Sequence, residues 1–415
     1  MQLDCGVVRR RLLSLLALLS VSVLVVAAPA QAVDRAGLRS VLTKLHARLG
    51  SSAGAYVVDL GTGDVLFRHR ENLALAPASN EKLFVTSAAL LRFGATGTLT
   101  TQLRAAPGAV VDATGVLRGD LYLVGGGDPT LGDAGLDTLA GQLAAHGVTR
   151  IDGGVLGDES LFDTLRGGPD SAFRADGDLG GWLSALSWDH GRARPGGPAQ
   201  AAATELGKLL KARDVTYGRK PREGALPAPT IGAASADPPL AEIASPPMAA
   251  LIAQTNIPSE NFYAEMLTKA LGAHYGGAGT TAAGLAVVRD QLATFGVHPR
   301  MVDGSGLSRA DRTTAREVVR LLQRMDGQDT AATWEASLPV AGVSGTLKTR
   351  MRRTAAASRC AAKTGTLIGV SALSGYCTTA DGTRVAFSLI ENRVCTTCAK
   401  KVEDRMVTAI AKLGA

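Results

Sequence analysis

Aromatic side chains are scarce, with Phe, Trp and Tyr together making 4% of the 415 residues. Ala, Val and Leu must therefore build most of any core. Blocks of like charge are absent, since Lys and Arg are scattered, and nucleic acid is not implied as a partner. The six His residues are isolated, with no His-Glu-x-x-His or similar spacing, so the sequence implies neither a metal site nor a cofactor. There is no Gly-x-Ser-x-Gly elbow, no phosphate loop, no fixed-period repeat and no low-complexity tract. After residue 32 no stretch is long and apolar enough to span a bilayer.

The apolar run that does exist lies at the start. A basic leader, "MQLDCGVVRRR", precedes the 15-residue run "LLSLLALLSVSVLVV", and "AAPAQA" ends in the small-x-small pattern Ala30-Gln31-Ala32. Residues 1–32 are expected to form a signal peptide cleaved after Ala32. The run is short for a span of ~20 residues, which argues against an uncleaved anchor. Losing Arg9, Arg10, Arg11 and Asp4 takes the formal charge from +7 to +5. A mildly basic exported protein suits an anionic cell envelope, and an extracytoplasmic location is expected: periplasm, cell wall or secreted. Cys5 leaves with the signal, and Cys360, Cys377, Cys395 and Cys398 remain. An even count in an oxidising compartment suggests two disulfides with three possible pairings. The Cys-x-x-Cys pair has no second such pair and no His cluster, so a structural disulfide is the better reading.

The chain reads as one α/β body divided by an insertion. Residues 34–49 have helical spacing, and two β-rich runs flank the turn "GTGD". "PASNEKLFVTSAALLRFG" reads as a helix whose first turn holds Ser79. From about residue 97 short strands broken by Gly alternate with two helices, and residues 220–239 read as a Pro/Gly-rich linker or loop. Helical texture returns near residue 245, and three β-runs and a helix close the chain. The expected body is residues 33–96 plus 245–415, with an inserted domain at 97–244, an ordinary domain size.

Three short motifs carry chemistry. Ser79-x-x-Lys82 is the only Ser-x-x-Lys, and its spacing puts both side chains on one helix face. Alone it is weak, because Ser79 could be a helix N-cap. Ser259-Glu260-Asn261 and Lys363-Thr364-Gly365-Thr366 follow, the latter holding the only Lys-Thr-Gly. In this order the three form the signature of penicillin-binding proteins and serine β-lactamases.

With these motifs, and with "LYLVGGGDPTL", "GDESLFD", "SPPMAALI", "DGSGLSR" and "VSGTLKTRM" spread over nearly the whole mature chain, the sequence resembles the low-molecular-mass class C penicillin-binding proteins, the D-alanyl-D-alanine carboxypeptidase/endopeptidases. The resemblance implies an α/β (α+β) serine penicillin-recognising fold, an antiparallel five-stranded sheet flanked by helices with an inserted mixed α/β domain. The 176 residues between Lys82 and Ser259 hold one full inserted domain or a reduced pair, and the middle motif reads Ser-Glu-Asn where Ser-Asp-Asn is commoner.

The resemblance also implies roles. Ser79 is the nucleophile and Lys82, neutral, its base, with burial and the charge of Lys363 lowering the Lys82 pKa. Lys363 stays charged and attracts the substrate carboxylate, which Thr364 and Thr366 hydrogen-bond. Ser259 relays a proton to the leaving group, Asn261 holds the acyl-side amide, and the N–H groups of Ser79 and Thr366, with Gly365 between the threonines, form the oxyanion hole. Asp158 is a candidate contact for the distal end of the peptide substituent, weighed against a purely structural role. Asp128 is expected to fix a turn, and Asp303 and Ser305 to organise a loop beside the cleft. Implied partners are peptidoglycan stem peptides, with β-lactam antibiotics as inhibitors. If "CAAKTGT" and "VSALSGYC" pair as a hairpin about residues 368–369, Cys360 lies opposite Cys377, a pairing close enough to bridge. A serine β-lactamase and a catalytically inactive wall-binding protein are the alternatives. The insertion argues against the first, the intact motif set against the second.

Overall fold

The computed structural model describes residues 33–227 and 238–414. The expected signal peptide lies outside the described residues. The chain opens with helix α1 (Arg35–His46), whose Asp34 side chain accepts from the Gly37 N–H as N-cap. Hairpin β1 (Ala53–Asp59) and β2 (Val65–His69) follows, then a 3-10 turn at Ala78–Glu81 running into α2 (Lys82–Phe93). The middle of the chain supplies β3 (Thr100–Ala105), β4 (Val116–Leu117), β5 (Leu121–Val124), α3 (Asp133–Ala145), β6 (Arg150–Asp158), α4 (Gly197–Lys211), β7 (Thr216–Glu223) and β8 (Ala241–Ala244). Helices α5 (Met248–Asn256), α6 (Asn261–Tyr275), α7 (Thr281–Ala293), α8 (Ala315–Asp326) and α9 (Ala331–Ala336) come next. Strands β9 (Cys360–Leu367), β10 (Val370–Thr378) and β11 (Arg384–Asn392) and helix α10 (Thr396–Ala411) end the chain.

Two sheets organise these elements. The first has five antiparallel strands in the order β2-β1-β11-β10-β9. Side chains alternate across its pleat. Tyr56, Val58, Ala372, Tyr376 and Ile390 face a core shared with α2, α5, α6, α7 and α8. Val57, Leu373, Val385, Phe387 and Leu389 face α1 and α10. Both faces are covered, so β1 is buried throughout. Phe84 and Phe262, fully buried in the first core, each contribute about 1.5–3 kcal/mol of burial.

The second sheet runs β4-β6-β5-β3-β8, with β7 added along β6. It is mixed: β6 is parallel to β4, β5 and β7, while β3 is antiparallel to β5 and β8. Helices α3 and α4 cover it over a separate core that includes Leu123, Leu139, Ile151 and Leu206.

The linker reading of 220–239 is corrected at its start. Residues 220–223 belong to β7, which continues through Pro221. Only β6 flanks it, and an edge strand tolerates the missing Pro N–H. Residues 228–237 of that stretch lie outside the described residues.

Cys360 and Cys377 are paired in the β9–β10 register, with Cα atoms 4.1 Å apart, and a disulfide joins them. A second disulfide joins Cys395 to Cys398 at the start of α10.

Candidate active site

Ser79 sits in the 3-10 turn that leads into α2, and its hydroxyl caps no helix. Instead the Lys82 amine lies 3.0 Å from Ser79 Oγ. Lys82 is fully buried, and its Nζ also donates to Asn261 Oδ1 at 2.7 Å and to the Ser305 carbonyl at 2.5 Å. Close packing shapes the turn. Ala78 has φ of 48°, and a Cβ on Gly306 would meet the Ala78 carbonyl at 2.0 Å. A Cβ on Gly365 would lie 2.5 Å from the Pro77 carbonyl, so a side chain there would push the β9 strand off the turn that holds Ser79.

Asn261 opens α6, and its amide nitrogen donates to the Asp178 carbonyl at 2.7 Å. Just before it, Ser259 holds φ of 69°, in the left-handed region, a strained conformation for a non-glycine residue of the kind that gathers at functional sites. The Lys363 amine, on β9, donates to Ser259 Oγ at 2.7 Å and to the Thr364 carbonyl at 2.9 Å. Thr364 Oγ1 donates to Thr346 Oγ1 at 2.8 Å, whereas Thr366 is exposed at the end of the same strand. The structure thus links Ser79, Lys82 and Asn261 in one hydrogen-bonded group and joins Ser259 to Lys363 in a second.

Burial sets the electrostatics. It lowers the Lys82 pKa to about 8, while Asp303, Glu265, Glu260 and Glu81 all raise it in opposition. Lys363 is pushed well below the ordinary lysine range, first by burial and then by the charge of Lys82. The influence expected of Lys363 on Lys82 runs the other way: the charge of Lys82 lowers the Lys363 pKa, and burial lowers that of Lys82. The physical reason is the distribution of carboxylates: they cluster around Lys82, whereas the Lys363 amine meets only a hydroxyl and a carbonyl.

Asp158 is not part of this group. It is buried at the end of β6, and its two oxygens accept from the Ser160 and Leu226 N–H groups, each at 2.8 Å. Backbone amides therefore occupy the carboxylate that was a candidate substrate contact. Asp128 Oδ1 accepts from the N–H and hydroxyl of Thr130, which fixes the "GGGDPTL" turn. Asp303 accepts from the N–H groups of Gly306 and Ser308, each at 2.7 Å, and shapes the loop that carries Ser305.

Sequence reasoning missed several participants. Glu265 stands one helical turn beyond Asn261, a spacing that could have placed both on one face. Glu260, in the middle motif, turns toward His190 of the long loop after β6, with 3.6 Å between Nε2 and Oε2. Glu260 raises the His190 pKa, and His190 in turn lowers that of Glu260. The same loop is tied down by Asp163, 2.5 Å from the buried Lys269 amine, and by Asp170, which accepts from Ser308 Oγ at 2.9 Å. Among the described residues no His, Cys, Asp and Glu cluster is arranged to hold a metal ion, and no helix is long and apolar enough to cross a membrane.

The sequence pattern of one known family, the D-Ala-D-Ala carboxypeptidase 3 (S13) family, matches residues 35–179 and 198–413. The chain belongs to this S13 family. A D-alanyl-D-alanine carboxypeptidase of Actinomadura sp. (strain R39) is 33% identical, with 88% of this chain and 82% of that protein covered. The carboxypeptidase DacB of Mycolicibacterium smegmatis is 32% identical, covering 86% of this chain and 80% of its own. The fold of penicillin binding protein 4 (dacB) from Haemophilus influenzae superposes with a TM-score of 0.76 at 20% identity, over 89% of this chain and 99% of that one. A penicillin G acylated predatory endopeptidase from Bdellovibrio bacteriovorus shares the fold at a TM-score of 0.55 and 16% identity, over 87% of this chain and 92% of that one. As an S13 member the chain is a serine-type D-Ala-D-Ala carboxypeptidase and a low-molecular-mass class C penicillin-binding protein. Its five-stranded sheet, flanked by helices, is that of the serine penicillin-recognising fold.

Proposed function

We propose that this S13 carboxypeptidase is exported and cleaves peptidoglycan stem peptides through an acyl-enzyme on Ser79. The observation that carries the reading is the set of partners around Lys82. Two of them, the Asn261 and Ser305 carbonyl oxygens, can only accept. A neutral amine has two hydrogens, which satisfy both and leave its lone pair facing the Ser79 hydroxyl, a group able to donate. The arrangement suits a base that takes the Ser79 proton.

Ser79 Oγ then attacks the carbonyl carbon of the penultimate D-alanine as its proton passes to Lys82. The N–H groups of Ser79 and Thr366 stabilise the oxyanion, and losing one such donor can cost about a hundredfold or more in rate. Asn261 holds the acyl-side amide, while Lys363, Thr364 and Thr366 take the terminal carboxylate. That carboxylate supplies the negative charge the Lys363 site lacks and favours the charged form of the lysine. The collapsing intermediate breaks the C–N bond, and the proton held by Lys82 passes through the Ser259 hydroxyl, bonded to Lys363, to the departing D-alanine nitrogen, which leaves Lys82 neutral for the second half-reaction. Water then cleaves the ester, giving its proton to Lys82 and returning one to Ser79. A β-lactam carbonyl fits the same path and leaves a slow-clearing acyl-enzyme, so β-lactam antibiotics act as inhibitors. Export rests on residues 1–32 and on a body at 33–96 and 245–415 stapled by its disulfides, with 97–244 as the insertion.

The test is labelling with a reporter penicillin beside incubation with a pentapeptide and a cross-linked muropeptide. Purified Ser79→Ala is expected to form no covalent adduct and release no D-alanine. An adduct on that variant would reject Ser79 as nucleophile. Product masses divide carboxypeptidase from endopeptidase action.

A further inference from the structure

We infer that Glu265 is a positioning residue for Lys82: it holds the Ser305 peptide against the Lys82 amine and, through its charge, governs how firmly that amine keeps a proton. The inference rests on the reading of Lys82 as the base. Its foundation is a relay of hydrogen bonds. Glu265 Oε1 accepts from the N–H groups of Gly304 and Ser305, each at 2.8 Å. The carbonyl of that same Ser305 accepts from Lys82 Nζ at 2.5 Å. One helix, α6, therefore reaches Lys82 twice: directly through Asn261 and, one turn later, through Glu265 and a single peptide unit.

The hydrogen-bond frame alone does not call for a carboxylate. Glu265 is 1% exposed, and its Oε2 has no partner among the described residues. Leaving a buried polar atom unpaired costs about 1–3 kcal/mol. A glutamine would accept the same two N–H groups through Oε1. What glutamate adds is charge, held behind the base in a medium that screens it poorly.

Other groups share the space. Lys82 is faced by Glu81 from its own turn, Glu260 and Glu265 from the α6 side, Asp303 from the loop after α7 and Lys363 from β9. Glu265 is faced by Asp303, Glu81, and Lys269. Burial and neighbouring acids push Asp311 up to about 9 and hold Glu81 well above the usual carboxylate range. Burial and Asp303 raise Glu265 only to about 7, just under Lys82 at about 8. The two groups titrate in the same pH range, and where Glu265 is charged it strengthens Lys82 as a base.

The experiment uses the mature enzyme with lysine labelled at ¹³Cε. It follows the Lys82 signal, assigned by its loss in Lys82→Arg, together with the pH profile of acylation by benzylpenicillin. In Glu265→Gln the Lys82 midpoint is expected to fall by roughly one pH unit. The acid limb of the acylation profile moves with it, and the high-pH plateau drops about threefold because the base is weaker. A purely structural role would lower the plateau and leave the midpoint in place, and that result overturns the inference. A midpoint that moves while the acylation limb stays would leave Glu265 in its role and reject Lys82 as the base. Should the variant not fold, wild-type enzyme decides: its Lys82 signal must show a second, smaller inflection near the pH where Glu265 ionises, and a single inflection overturns the inference.

Discussion

The two sheets treat charge in opposite ways. Around the five-stranded sheet, Lys82, Lys363, Glu81, Glu265, Asp303 and Asp311 are all buried, and Glu81 leaves both carboxyl oxygens without a partner. On the six-stranded sheet most charges stay outside and pair with one another, Arg118 with Asp112 and Asp152, Arg213 with Asp137, and Arg219 with Asp120, while the buried Asp158 has both oxygens bonded to backbone N–H groups. Surface pairs of this kind contribute little either way. Buried charge without full compensation destabilises. The five-stranded sheet therefore gives up stability to hold these buried charges, and the six-stranded sheet does so far less.

Breaking this contrast at its strongest point should give the largest effect. Lys363→Met keeps side-chain volume and removes a buried amine that has no carboxylate partner. D-alanine release, measured as kcat/KM on a pentapeptide, should drop at least about a hundredfold. The melting temperature at neutral pH should hold or rise, because an apolar replacement for such a group is often neutral or stabilising. A variant that loses activity and several degrees together would break the comparison.

Asp311 tests the same contrast through pH. Its folded pKa of about 9 lies far above the ordinary carboxylate value, so its protonated form stabilises the fold fully in acid. That contribution is lost as pH rises through 9. Asp311→Asn keeps the oxygen that accepts from Val302 and Asp303 and carries no charge. The melting temperature of the variant should exceed wild type by a margin that widens from pH 5 to pH 9, reaching roughly 2–4 °C or more. A constant margin would remove Asp311 from the set of buried groups that carry a pH-dependent cost.

The smallest effect is expected on the six-stranded sheet. Arg118, 56% exposed, bonds two aspartates, yet Arg118→Ala should shift the melting temperature by no more than about 2 °C in physiological salt. D-alanine release should be unchanged. A larger shift would show that the surface network shares the energetic weight.

What the sequence made legible was local or countable. Ser79 and Lys82 share a turn, so their contact follows from spacing. The Cys360–Cys377 opposition follows from counting back from a hairpin turn at 368–369. The paired oxygens of Asp158 and the depressed state of Lys363 were hidden, because both depend on what folds over a residue from far along the chain. Most of the acids around Lys82 were hidden for the same reason: Glu260, Glu265 and Asp303 reach it from far along the chain. Strand β7 escaped because Pro221 and its exposed charged neighbours look like a loop, and only the edge position beside β6 makes them a strand.

The order of strands in the catalytic sheet has a consequence for biosynthesis. β1 lies between β2 and β11, and Ala53 stands opposite Glu391. The turn that holds Ser79 and Lys82 is made early by the ribosome, and the strand that bears Lys363 comes some 280 residues later. A growing chain holds Ser79 and Lys82 with no sheet to close over them. Activity arrives only when the last strands zip against the first. The site that unites Ser79, Lys82 and Lys363 therefore needs both ends of the described chain in one sheet.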